Sequence, residues 1–186
     1  MFEDVIKHYP DFPKPGIDFI DVLPFLQDKK VFSEAIKELS RICTAPNIAT
    51  VEARGFLFAA PLLTAGNADT VVPIRKKGKL PHAEGDLVRV CIEKEYGSDE
   101  VFYRHSDLEA CTHNGDVIEL TLLDDLLATG GTAQGIAQAL NNEVIDGRRV
   151  VIKEFVFLVE LPALQGRKVL ESIAPVHSLM SLDGVE

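Results

Sequence analysis

Residues 120–133 read LTLLDDLLATGGTA. The run DVIELTLLDD (116–125) is almost continuously apolar up to its two acids. A strand of that kind is buried on both faces, as in the middle of a parallel sheet. Behind it, Ala133, Ile136, Ala137, Leu140 and Val144 form one helical stripe, with Thr132 near its start. The segment is therefore strand, turn, helix. In an open α/β sheet, ligands bind beyond the carboxyl ends of the strands. Asp124 and Asp125 fall at such an end, and Ala128-Thr129-Gly130-Gly131-Thr132 leads into a helix N-terminus. Unpaired N–H groups there, with the positive end of the helix dipole, favour an anion. Glycines let the backbone approach closely, and the two threonines add hydroxyl donors. The loop suits a phosphate. The acids suit a neighbour that donates hydrogen bonds. A ribose 5-phosphate has both parts. Other phosphate loops fit worse: GGTAQGIA has no lysine for the G-x-x-x-x-G-K-[ST] pattern, and G-x-G-x-x-G fails at Gly131-Thr132.

Working outward, the chain alternates strands and helices. HYPDFPKPGI (8–17) holds three prolines and a glycine and predicts an extended loop. A helix follows from Asp28, which can cap it, with Phe32, Ala35, Ile36, Leu39, Ile42 and Cys43 on one face. NIATVEA (47–53) predicts a strand, Arg54-Gly55 a turn, and GFLFAAPLLTAG a buried helix. TVVPIRK (70–76), RRVVIKEFVFLVEL (148–161) and PVHSLMSL (175–182) predict further strands. Residues 75–105 are an excursion, in which LVRVCIE and VFYRH pair as hairpin arms. The fold expected is α/β: a mainly parallel central sheet flanked by helices, with a small flexible hood. The expected organisation is a single domain over 1–186.

Composition narrows the function classes. The chain of 186 residues has room for a real core. Its formal net charge of −10 speaks against a protein devoted to nucleic-acid backbone. No apolar run reaches the length of a membrane span, and the N-terminus is too polar for a secretory signal. Cys43, Cys91 and Cys111 are odd in number and widely spaced, so a reducing, cytoplasmic setting is expected. The five histidines make no zinc spacing.

With strand, acid pair and TGGT turn together, the chain resembles the type I phosphoribosyltransferases. Further blocks match the adenine-specific branch in order: DFPKPGIDF (11–19), VEARGFLFAAP (51–61), VPIRKKGKLP (72–81), EYGSD (95–99) and VELPALQGRKVL (159–170). The resemblance covers nearly the whole chain. It implies purine salvage: ribosyl 5-phosphate passes from phosphoribosyl pyrophosphate to adenine, giving AMP and pyrophosphate. It implies Mg²⁺ held mainly by pyrophosphate and ribose hydroxyls, and a homodimer, with no nucleic-acid or membrane partner.

By the same resemblance, Asp124 and Asp125 hold the ribose hydroxyls and favour a cationic ring. Ala128, Thr129, Gly130, Gly131 and Thr132 cradle the 5-phosphate. Arg54, beside a cis peptide at Ala53, reaches the pyrophosphate, as do Arg75 and Lys79 once the 75–105 hood closes. Glu95 is the acid/base group at the purine. The base segment spans about 8–25: the main chain of Asp18 reads the base edge, and Phe19 and Leu126 sandwich the ring. Three positions depart from the family pattern, and the hood is longer than usual between GKLP and EYG; one of the three is Lys94, before EYG, where a leucine is common. Ile20 stands where an arginine is usual, and Asp18 where an aliphatic residue is common. Arg89 is the candidate replacement cation. Two other readings compete: a 6-oxopurine (hypoxanthine, guanine or xanthine) phosphoribosyltransferase, and a regulator that senses phosphoribosyl pyrophosphate without turnover.

Overall fold

A computed structural model of the chain describes residues 2–66, 68–94 and 97–182. In chain order the elements are β1 (Lys7–Pro10), β2 (Asp18–Asp21), α1 (Lys29–Ile42), β3 (Asn47–Val51), α2 (Arg54–Ala59), α3 (Leu62–Ala65), β4 (Thr70–Lys76), β5 (Leu87–Lys94), β6 (Gly97–Arg104), α4 (His105–Glu109), β7 (Val117–Leu127), α5 (Gly131–Asn141), β8 (Val144–Ile145), β9 (Arg148–Glu160), α6 (Gly166–Leu170) and β10 (Val176–Ser181). The main sheet runs β10-β9-β7-β3-β4-β6-β5, with β8 on β9. Its first five strands are parallel. The expected α/β class and mainly parallel sheet are borne out.

Alternation along the central strands explains why both faces are covered. Phe155 and Phe157 of β9 enter one apolar cluster with Leu120, Leu122, Ile136 and Leu140. Val156 and Leu158 enter the other, with Leu39, Phe58 and Leu62. Thus α5 covers one face, and α1, α2 and α3 the other. Asp28 caps α1 as expected: its carboxylate accepts from the N–H groups of Lys30 at 2.9 Å and Val31 at 3.1 Å.

Several expectations need correction. Residues 8–10 of the expected loop are not loop. With Lys7 they form β1, antiparallel to β2, so the proline segment is the turn of a small hairpin. Phe12–Pro13 is cis. Arg54-Gly55 is not a turn but the start of α2, and Pro61 splits the expected single helix into α2 and α3. Val144 leaves the α5 stripe for β8 and is exposed. The expected hairpin arms of the hood do pair, β5 antiparallel to β6, but instead of leaving the sheet they extend it through β4. Ile92 of β5 packs on α5 at Gly135, where an added Cβ would lie 3.3 Å from its side chain.

Candidate active site

The parallel strands β3, β4, β7 and β9 end on the same side, and the chemistry gathers there. Strand β7 delivers Asp124 and Asp125, then the loop turns at Gly130. Gly130 has φ +79 and is the residue before α5. Its carbonyl takes the Gln134 N–H at 2.9 Å, which starts the helix. A pocket of about 140 Å³ opens over this turn, lined by Asp124, Leu126, Ala128, Thr129, Gly130, Gly131 and Thr132 together with Leu127, Ala133 and Phe157. Seven residues expected at a site therefore meet in one concavity, above the first N–H groups of α5. Phe157, an apolar wall of this pocket, was not foreseen. Its sequence context is ordinary core strand.

The two acids are placed differently. Asp124 lines the pocket, and its Oδ1 accepts the Asp125 N–H at 2.8 Å. Burial first, and the Asp125 carboxylate second, push its pKa well above the usual carboxylate range. Asp125 is 4% exposed and does not line that pocket. Its Oδ2 lies 2.8 Å from Nε of Arg54. The contact is off the N–H direction, since Oδ2 accepts no hydrogen bond, so it is an ion pair rather than a directed bond. Gly55 makes this approach of α2 to β7 feasible. A Cβ there would sit 2.5 Å from Thr50 Oγ1 and 3.0 Å from Asp124 Oδ1.

Arg54 also stands over the Phe19 ring, 5.3 Å from its centroid. One guanidinium thus joins the N-terminal hairpin to the acid pair. Phe12 meets Phe19 edge-on at 5.3 Å. Tyr9, Phe12, Phe19, Asp21 and Leu23 line a separate hollow. Asp18 faces Pro10 in the ladder, a residue with no N–H to offer its carbonyl. Its side chain meets His8 Nδ1 at 2.8 Å. Ile20, where an arginine was looked for, is 2% exposed and packs in the core. Arg89 does not replace it: it pairs with Glu100 on the hairpin, at 3.0 Å. Arg54 brings a cation to the base segment, over Phe19.

The cations of the 75–79 turn lie apart from the phosphate loop. Arg75 donates from Nε to Glu52 at 2.6 Å and from Nη1 to the Lys79 carbonyl at 2.7 Å. Glu52 also accepts the Lys76 N–H at 3.0 Å, and these partners lower its pKa although burial opposes them. Glu52 precedes Ala53 through a cis peptide, as the resemblance implied. Lys79 lines a cleft with Lys76, Lys77 and Glu100, not the pocket over the phosphate loop. Glu95 lies outside the described residues. Among those residues, no group of three His, Cys, Asp or Glu side chains is arranged to hold a metal.

No family model matches the chain. It is, however, 40% identical to an adenine phosphoribosyltransferase of Rhizobium meliloti (strain 1021), across 96% of this chain and 93% of the relative. The chain belongs to the adenine phosphoribosyltransferase family. A Brucella ovis member is 38% identical over 98% of this chain and 94% of its own. Among solved structures, the family member from Thermoanaerobacter pseudethanolicus superposes with a TM-score of 0.81 at 35% identity, covering 97% of this chain and 98% of its own. That from Saccharomyces cerevisiae, complexed with an imino-altritol bisphosphate and adenine, gives 0.74 at 31%, covering 96% of each chain. The family is shown by the whole length, not by the TGGT turn alone.

Proposed function

We propose that this chain transfers the ribosyl 5-phosphate of phosphoribosyl pyrophosphate to adenine, releasing AMP and pyrophosphate in purine salvage. The observation that carries the reading is the pocket in which Asp124 and the 128–132 turn meet at the N-terminus of α5. The 5-phosphate sits on the N–H groups of that turn, with the Thr129 and Thr132 hydroxyls beside it. Asp124 and Asp125 hold the ribose hydroxyls; the positive charge that develops on the ring beside Asp124 favours its ionised form, and the carboxylates in turn favour the oxocarbenium-like transition state. Arg54 exchanges its pairing with Asp125 for the leaving pyrophosphate, which Arg75 and Lys79 also approach when the hairpin closes. Arg offers that anion a planar fork and Lys a point charge. Glu95 moves the proton at the base nitrogen. Phe19 and Leu126 flank the ring, and the Asp18 main chain reads its N1 and N6 edge.

The pocket fits Mg²⁺ bound through substrate. Asp124 is the one carboxylate lining it among the described residues. A hard, octahedral ion that keeps its waters requires only one or two protein oxygens. When bound, the ion neutralises charge on the pyrophosphate. The protein acts as a homodimer in the cytoplasm. Cys43, Cys91 and Cys111, all free, suit a reducing setting.

A base panel with phosphoribosyl pyrophosphate and Mg²⁺ tests the reading. A pocket built to hydrogen-bond one base discriminates strongly, so kcat/KM for adenine is expected at least about 100-fold above that for hypoxanthine or guanine. Faster turnover of a 6-oxopurine overturns the adenine assignment and leaves the transferase. Tight binding of phosphoribosyl pyrophosphate with no turnover of any purine points instead to the sensor.

A further inference from the structure

The phosphate turn has no bulky side chain to set its shape, so its shape comes from what stands behind it. Behind it is Gly166, the first residue of α6. A Cβ on Gly130 would lie 2.9 Å from the Gly166 carbonyl oxygen and 3.2 Å from its Cα. A Cβ on Gly166 would lie 2.2 Å from the Ala128 carbonyl oxygen and 2.9 Å from the Gly130 nitrogen. Two backbones touch here with no space for a side chain between them. A displacement of Gly166 is therefore transmitted to the turn directly.

The next residue anchors Gly166. Arg167 donates to Glu160 through Nε at 2.9 Å and Nη2 at 2.5 Å, and through Nη1 to the Val176 carbonyl at 2.6 Å. Glu160 is 5% exposed and also accepts from Ser178 Oγ at 2.8 Å. Glu160 ends β9 and stands in register with Leu127, the residue at which β7 passes into the turn. Leu161 N–H donates to the Leu127 carbonyl at 2.9 Å. The pair thus ties the start of the turn, through the ladder, to its rear support, through α6. A bidentate Arg–carboxylate pair fixes orientation as well as distance. Neither Arg167 nor Glu160 lines the pocket.

We propose that Arg167 and Glu160 are positioning residues for the 5-phosphate, acting through Gly166 on the 128–131 turn. The inference rests on the reading of that turn as the phosphate cradle. It assigns the pair control over phosphate affinity and none over the base. A hydrogen bond to a charged group is worth roughly tenfold or more in affinity, so a turn held out of place by loss of the fork is expected to weaken phosphate binding by about tenfold or more.

The test is titration of ribose 5-phosphate, which engages the turn without a base, into the full chain and into Arg167→Gln, Arg167→Lys, Glu160→Gln and the double Arg167→Gln/Glu160→Gln variant. Ser178→Ala, which removes one neutral hydrogen bond from Glu160, serves as a milder variant that keeps the fold. Steady-state kinetics accompany the titration. Expected are weaker ribose 5-phosphate binding, a raised KM for phosphoribosyl pyrophosphate, and an adenine KM and kcat within about twofold of the unmodified chain. Lysine should restore part of the loss, and the double variant should be no worse than the worse single one, because both remove one contact. Folded variants that bind ribose 5-phosphate normally overturn the clamp, as does an equal fall in every kinetic parameter. If the unmodified chain itself fails to bind ribose 5-phosphate, the phosphate-cradle reading falls, and the clamp with it.

Discussion

At Asp124, burial and the adjacent Asp125 carboxylate both disfavour the charged form. A raised carboxyl pKa means that the native state keeps a proton the unfolded chain has lost. The unfolded group titrates near about 3.9, so from there upward to the raised value stability falls as pH rises. Asp124→Asn removes that loss. Its melting temperature is expected to exceed that of the unmodified chain at neutral pH, with convergence of the two near pH about 4. Thermal melts across that range check it, and parallel curves would refute the assignment. Asp125→Asn acts in two opposed ways: it leaves Arg54 beside a neutral partner, and it removes the carboxylate that helps to raise the Asp124 pKa. Both substitutions together should keep the fold and remove most turnover, since each charge-assisted hydrogen bond lost costs roughly 1.5–3 kcal/mol. Near-normal activity in that double variant would remove the acids from the ribose. Asp124 is thus kept where it lowers stability, as functional groups often are.

Helix α1 and the β5–β6 hairpin show two kinds of element. The start of α1 was legible because capping is local: Asp28 binds N–H groups two and three residues on. Asp28→Ala should cost about 1 kcal/mol, a fall in melting temperature of about 2–4 °C for a chain of this size. The hairpin is set by longer-range contacts. Among the described residues it pairs with β4 at Arg75↔Phe102 and Lys76↔Val101, while Val90, Ile92, Val101 and Tyr103 enter the main core and Ile92 rests on α5. Residues 81–85, the loop that leads into β5, are exposed and carry no such packing. Amide exchange over residues 80–94 is therefore expected to slow when phosphoribosyl pyrophosphate and adenine bind. Identical exchange with and without substrate would count against closure.

For the molecule as a whole, the expected behaviour toward metal follows from where its carboxylates stand. Asp124 is a single pocket carboxylate among the described residues, and Glu52 and Glu160 are engaged by Arg75 and Arg167. Chelating Mg²⁺ should therefore abolish turnover while leaving the melting temperature of the substrate-free chain unchanged within error. A metal bound to the folded protein by itself would instead stabilise it by mass action. A chelator-induced fall in melting temperature would show a protein-held site.

The α/β class, the parallel strands and the phosphate turn were readable in the sequence because each depends on neighbours a few residues apart. Apolar runs fix strands buried on both faces, a capping aspartate starts α1, and acids followed by TGGT mark a strand end meeting a helix N-terminus. The exceptions are also physical. Residues 8–10 look like loop by the prolines of their segment, but β2 supplies the partner that makes them part of a strand. Val144 matches the stripe of α5 by spacing, yet pairing with Arg149 places it in β8. Across the site, the acid pair and the TGGT turn marked the centre of the pocket and the resemblance added Leu126, but neither gave their pairings. Spacing did not divide Asp124 from Asp125, or set Arg54 over Phe19, or put Ile20 in the core and Arg89 on Glu100. Nor could it bring Gly166 behind Gly130, 36 positions earlier in the chain, because that meeting requires β9 to lie beside β7. Local propensity and periodicity travel with the sequence. Which side chains share a pocket, a charge or a backbone contact is decided only when the strands have found their order.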